Sequence, residues 1–132
     1  MASIHKEIFI DIPPAQAWAA LADVGALHTR LVTGFVTDCR MDGEARIVTF
    51  ANGMVGRELI VDVSEEHRRV AWAAVGGRLT HYNASAQVLT EGTGTRMVWI
   101  ADLLPHAMAP TIAGMIDQGL AAMKKTLESA AV

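Results

Sequence analysis

The sequence predicts an α+β fold in which a curved, seven-stranded antiparallel sheet wraps around one long C-terminal helix. Strand-like runs follow one another through most of the chain, separated by turn sequences such as Asp42-Gly43 and Asn52-Gly53. After Pro105 the apolar residues recur with a helical period instead. Connections this short favour antiparallel neighbours, and the last helix is the only extended apolar surface that can cover them. The sheet is therefore expected to curl around that helix.

The first strand is predicted over residues 4–12, where isoleucines alternate with polar residues. Pro13-Pro14 ends it, and a short helix over 15–22 turns Trp18 and Leu21 inward. A second short helix or turn follows near Leu27. Six further strands are predicted over residues 33–41, 45–51, 54–64, 69–76, 80–90 and 95–104.

The C-terminal helix is predicted over residues 107–129. Its apolar residues fall on one side, as expected of a helix that lies on a sheet: Met108, Ile112, Met115, Ile116, Gly119, Leu120, Met123 and Leu127. Methionine adapts to irregular space and glycine leaves space free. The stripe therefore suits either an ordinary core or the wall of a ligand cavity.

Composition limits the function classes. The 132 residues fit one domain over 1–132. A net charge of −3 and eleven scattered Lys and Arg residues argue against a nucleic-acid partner. The single cysteine, Cys39, excludes an intrachain disulfide and a cysteine-based zinc cluster, so a buried thiol is expected. The chain starts directly into a strand and has no apolar membrane span, which predicts a cytoplasmic protein.

Three stretches of the sequence resemble the START-like, Bet v 1-like (SRPBCC) superfamily, and particularly its bacterial polyketide cyclase/dehydrase branch. They are residues 10–18 with Asp23, residues 43–46 with Gly53 and 58–60, and residues 69–72 continuing through 82–83 and 94–99 to 102–105. The resemblance covers essentially the whole chain and implies the helix-grip fold. It also implies a cavity between sheet and helix, in which relatives bind lipids, sterols, polyketides, quinones or plant hormones and some relatives catalyse.

The run 54–64 carries two candidates of opposite parity. Period-two alternation groups Arg57 with the valines of the run and with Leu59, whereas Glu58 alternates with them. Only one of the two can face the interior unless a bulge intervenes. The apolar pattern favours Arg57, and the family resemblance singles out Glu58.

The predicted cavity lies between the N-terminal half of the last helix and the sheet. Its ligand-binding candidates are Arg57, Trp72, Tyr82, Trp99, Met108, Ile112, Met115 and Ile116. Tyr82 is included because it offers an aromatic body and a hydroxyl tip. Asp102 is a carboxylate within an apolar strand and is either buried with a partner or an edge or capping residue.

The sequence contains no nucleophile motif or phosphate loop, and its histidines lack metal-ligand spacing, so no metal and no cofactor are expected. Three functions stay open: a carrier for a small apolar ligand with one polar end, a cyclase, dehydratase or isomerase, and a protein-interaction module. In the enzyme, Glu58 or Asp102 acts as acid or base. Monomer and homodimer are both compatible with the sequence.

Overall fold

The computed structural model describes residues 2–74 and 76–130. In chain order its elements are β1 (Ser3–Ile10), α1 (Pro14–Ala22), a π-helical turn (Leu27–Leu31), β2 (Val36–Asp42), β3 (Ala45–Phe50), β4 (Val55–Ser64), β5 (Arg69–Ala74), β6 (His81–Glu91), β7 (Gly94–Leu104), a short 3-10 helix (His106–Met108) and α2 (Ala109–Ala130). The predicted order of elements is confirmed. Val75, which belongs to the predicted strand 69–76, lies outside the described residues.

The seven strands form one antiparallel sheet in the order β1-β7-β6-β5-β4-β3-β2. Strands β2 to β7 follow the chain as successive hairpins, and β1 pairs with β7. Gly43 and Gly53, in two of the predicted turns, have φ angles of 64° and 89°, a backbone region that glycine adopts without steric cost. The predicted α+β helix-grip architecture, a curved sheet around a long C-terminal helix, is confirmed.

The C-terminal half of α2 is fixed to β1. The Lys124 ammonium donates to the carbonyl oxygen of Phe9 at 2.9 Å, and Glu128 accepts a hydrogen bond from the backbone N–H of Asp11 at 2.9 Å. The apolar side chains of this half of α2 are also buried: Leu120, Met123 and Leu127. The N-terminal half of α2 is joined to β1 by an exposed ion pair, with Lys6 Nζ 3.5 Å from Asp117 Oδ1. Neither α-helix of the described chain has the length and hydropathy needed to span a membrane.

The short helical segments close one end of the sheet. Trp18 of α1 is buried, and its indole N–H donates to Glu65 at 2.7 Å. The π-helical turn lies against β2 and α2. Cys39 is buried, as predicted, and burial raises the pKa of its thiol.

Strand β4 faces the opposite way from the apolar pattern. Val55, Leu59 and Val61 are 63%, 49% and 59% exposed, whereas Glu58 and Ile60 are partly buried. Register explains this orientation, because Glu58 lies opposite the buried Arg46 and Ile60 lies opposite the buried Trp72. The only register shift between β4 and β5 comes after Ile60. The expectation that the strand's valines and Arg57 face the interior is therefore wrong.

This orientation predicts unequal costs for the same substitution at two leucines. Leu59→Ala should lower the free energy of unfolding by at most about 1 kcal/mol, because half of its side chain is already in water. Leu120→Ala should lower the free energy of unfolding by about 2–5 kcal/mol, because the Leu120 side chain of α2 is buried. Urea denaturation of both variants measures the difference. Equal costs would mean that β4 turns its leucine toward the core.

Candidate functional site

A cavity of about 530 Å³ lies between the sheet and the N-terminal half of α2. This volume falls within the usual range of small-molecule pockets, roughly 300–1,000 Å³. Most of its wall is apolar, supplied by α1, the π-helical turn, strands β2 to β7 and α2. The wall includes all eight ligand-binding candidates, whose role in binding stays a prediction: Arg57, Trp72, Tyr82, Trp99, Met108, Ile112, Met115 and Ile116.

One wall of the cavity holds a buried ion pair. Arg46 Nε donates to Glu58 Oε1 at 2.8 Å, with side-chain exposures of only 5% and 14%. The guanidinium also donates to the carbonyl oxygen of Val24 at 3.2 Å, and its carbon lies 5.2 Å from the centre of the Trp72 ring. Coulomb attraction, two hydrogen bonds and a cation–π contact all act against the loss of hydration. The pair is therefore held in one geometry.

Two tryptophans stand next to this pair. The Trp72 and Trp99 rings meet edge to face, with centroids 5.7 Å apart. On the helix side, Trp99 packs against Gly119, where an added Cβ would lie 2.7 Å from a carbon of its ring. The glycine of the helical stripe therefore admits an indole and does not itself leave space for a ligand. Trp99 is fixed between the sheet and α2.

Gly119→Ala should accordingly behave differently from Gly114→Ala in the same helix. A Cβ at Gly114 meets nothing within 4 Å, so that variant should gain about 0.5–1 kcal/mol of stability from helix propensity. Gly119→Ala must displace the Trp99 ring and should be less stable than Gly114→Ala by about 1–3 kcal/mol. Thermal unfolding of the two variants provides the comparison. Equal stability would show that the indole moves aside freely.

Tyr82 contributes a hydroxyl to the same wall. Burial raises the pKa of this phenol above its usual range, and the negative charge of Glu58 adds to the rise. The adjacent Trp99 indole N–H opposes it, but no well-formed hydrogen bond joins the two groups. The hydroxyl therefore stays protonated at any physiological pH and can donate a hydrogen bond.

Tyr82 is the single tyrosine of the chain, so its ionisation can be followed by ultraviolet absorbance. We expect the folded protein to form tyrosinate only well above pH 10, the usual midpoint. Because the folded-state pKa is raised, the protein should lose stability relative to Tyr82→Phe as the pH rises above 10, by up to about 1.4 kcal/mol per pH unit. A folded-state midpoint near pH 10 would show that the hydroxyl is fully hydrated.

Two other candidates, Arg57 and Asp102, lie at the mouth of the cavity and outside it, respectively. Arg57 reaches only the mouth, where its side chain is 54% exposed and donates to Asp42 at 2.6 Å. Asp102 lies on the outer face of β7, is exposed and accepts a hydrogen bond from the Ser3 hydroxyl at 2.6 Å. Asp102 is thus outside the cavity, and its catalytic role stays a prediction that this placement does not support. Its neighbours Trp99, Ala101 and Leu103 have the opposite parity and take the inner face of the strand.

Arg46 is a polar cavity residue that was not among the candidates predicted from the sequence. Its position could have been predicted from the sequence, because the Asn52-Gly53 turn sets the register that brings Arg46 opposite Glu58. Opposite charges at paired positions of two strands are favourable neighbours on one face. In residues 2–74 and 76–130 no cluster of three or more His, Cys, Asp or Glu side chains has the arrangement of a metal site.

A curved antiparallel sheet around a long C-terminal helix, with a cavity between them, defines the START-like, Bet v 1-like class of helix-grip proteins. The chain belongs to the family described as "Polyketide cyclase / dehydrase and lipid transport", which matches residues 1–128. A comparison with curated proteins gives no match.

Several solved structures share this fold. Protein XoxI from Bacillus cereus is 17% identical, with a TM-score of 0.86 and coverage of 100% of this chain and 99% of its own. Truncated norcoclaurine synthase from Thalictrum flavum is 18% identical, with a TM-score of 0.73 and coverage of 98% and 92%. A START superfamily protein from Mycobacterium smegmatis is 11% identical, with a TM-score of 0.73 and coverage of 97% and 95%. At these identities the similarity shows the fold alone.

Proposed function

We propose that the protein binds a small, mainly apolar ligand with one polar end in the cavity between its sheet and α2. The observation that carries this proposal is a cavity of about 530 Å³ whose wall is apolar except for a few convergent polar groups. Burial of the ligand's apolar surface supplies the affinity, at about 25 cal/mol per Å² before the costs of association. The family description, which includes lipid transport, supports the same class of ligand.

The polar groups of the wall are placed to orient such a ligand. Arg46 and Glu58 lie on the paired strands β3 and β4, Tyr82 lies two strands away on β6, and all three line the cavity. The exposed cavity residues Met54, Arg57 and Arg78 mark the mouth. A ligand that enters there places its polar end against Tyr82 and its apolar part against the methionines of α2.

A cyclase or dehydratase is the second candidate, because Glu58 and Tyr82 are two proton-transfer groups in one cavity wall. In that case Glu58→Gln should reduce turnover by about 10²–10⁴ and leave binding within about tenfold. The geometry favours the carrier. Glu58 Oε1 accepts a hydrogen bond from Arg46 at 2.8 Å, so the carboxylate already has a fixed structural partner in the wall. Asp102, the other predicted acid or base, lies outside the cavity.

Fluorescence titration with Nile red, a neutral apolar dye, tests the binding function. We expect saturable binding with one site per chain, and displacement of the dye by a lipid extract. Native mass spectrometry of the protein mixed with the extract should then identify the bound class of molecule. Dye fluorescence that rises without saturation, together with no retained lipid mass, would contradict the proposed function.

A further inference from the structure

The polar wall of the cavity carries no net charge although it contains two charged side chains. Arg46 and Glu58 are paired at 2.8 Å and both are largely buried. A carboxylate ligand brought to this wall would meet the charge of Glu58 as well as that of Arg46. It would also lose its hydration without gaining an unpaired cation, which is costly. The pair therefore disfavours an anionic ligand end at this depth.

The same wall offers hydrogen-bond donors. The Tyr82 hydroxyl makes no well-formed hydrogen bond with its neighbour Trp99. Beside it, the Trp99 indole N–H is buried and is unpaired within the described part of the chain. Indole nitrogen can only donate, and a guanidinium can only donate. The Glu58 carboxylate is an acceptor in this region, and Arg46 already occupies its Oε1.

A ligand oxygen at this position gives the Tyr82 hydroxyl an acceptor. Tyr82 can donate its proton to that oxygen and turn its own oxygen toward the Trp99 N–H. Hydrogen bonds arranged in such a chain strengthen one another. A buried donor such as the Trp99 N–H costs free energy without a partner, so a ligand oxygen that completes the chain is favoured.

At the mouth the charges are arranged differently. Arg57 is neutralised by Asp42 at 2.6 Å, and Arg78 is exposed. Exposed charges interact weakly through water. An anionic end would be better placed at the mouth than at the inner wall. A ligand with its polar end at the mouth and one with its polar end at the inner wall should therefore respond to different substitutions.

From this arrangement, and resting on the proposed binding function, we infer that the buried polar end of the ligand is an uncharged hydrogen-bond acceptor, such as an ester, ketone or quinone carbonyl. Tyr82 binds this acceptor directly, and Trp99 orients the Tyr82 hydroxyl. The cavity selects such molecules over carboxylates with the same apolar chain.

Displacement of Nile red by methyl decanoate, decanoate and decane tests this inference, because the three share one chain and differ only at the polar end. At neutral pH we expect the ester to bind about tenfold or more tightly than decanoate. Tyr82→Phe should weaken the ester by about threefold to tenfold and leave decane unchanged. Arg40→Gln, at an exposed position outside the cavity wall, is the charge-matched control and should change neither preference, whereas Arg78→Gln tests binding of a polar end at the mouth.

Glu58→Gln should change the ligand preference in the opposite direction. It leaves the Arg46 charge uncompensated and should shift the preference toward decanoate. If this variant folds poorly, the affinities of wild-type protein for the ester and for decanoate still test the inference. The inference would be overturned if decanoate bound as tightly as the ester. It would also be overturned if Arg78→Gln, but not Tyr82→Phe, removed the preference for the ester. In both cases the proposed binding function would stand. Failure of Nile red and all three compounds to bind would overturn both.

Discussion

Arg46→Met should lower the free energy of unfolding by about 3–5 kcal/mol, the largest loss of stability expected from a cavity residue. The substitution leaves the Glu58 carboxylate buried without its partner, and an uncompensated buried charge is strongly destabilising. It also removes the cation–π contact with Trp72 and the hydrogen bond to the Val24 carbonyl. Denaturant unfolding at neutral pH gives the value.

The double variant Arg46→Met/Glu58→Leu is the control for this prediction. Replacing a whole buried pair with apolar residues of similar volume is often neutral or stabilising. We therefore expect the double variant to recover most of the stability lost by Arg46→Met. If the single variant is as stable as wild type, the two charges are hydrated and the cavity wall is not closed around them.

Met115→Trp should abolish binding of Nile red with little change in stability. Met115 projects from α2 into the cavity, where a larger side chain can occupy free volume. Filling free volume strains the fold little, whereas overpacking a solid core costs roughly 1–3 kcal/mol. Dye titration and thermal unfolding of the same sample separate these two outcomes, with the melting temperature expected within a few degrees of wild type.

Met41→Trp is the matched control, because Met41 is 44% exposed and lies outside the cavity wall. This variant should bind the dye as wild type does. A Met115→Trp protein that unfolds at a much lower temperature would mean that the methionines of α2 are ordinary core. Loss of binding in both variants would place the dye elsewhere on the molecule.

The fold could be predicted from the sequence because its signals are local and agree with one another. Asp42-Gly43 and Asn52-Gly53 mark hairpins, and the two alternating runs that flank each turn pair with each other. The switch to a helical period after Pro105 identifies the element that the sheet surrounds. Each of these signals depends on a few adjacent residues.

The polar wall of the cavity could be predicted only in part, because its placement depends on pairs of residues from different strands. The apolar alternation of β4 predicted the wrong inner face, since four of its hydrophobic side chains are exposed: Val55, Leu59, Val61 and Val63. Glu58 faces inward because Arg46 meets its charge across the hairpin. Asp102 resembled a buried carboxylate in sequence, but both faces of β7 are largely apolar and periodicity could not distinguish them.

The measurement that tests the central claim most directly is nuclear magnetic resonance of isotope-labelled methionine methyl groups during titration with methyl decanoate. Met108, Met115 and Met123 line the cavity, whereas Met41 and Met97 do not. Ligand binding between the sheet and α2 predicts saturable shifts at the first three methyl groups and small changes at the other two. Saturable shifts confined to Met41 and Met97, or no saturable shift at any of the five, would contradict a ligand site in this cavity.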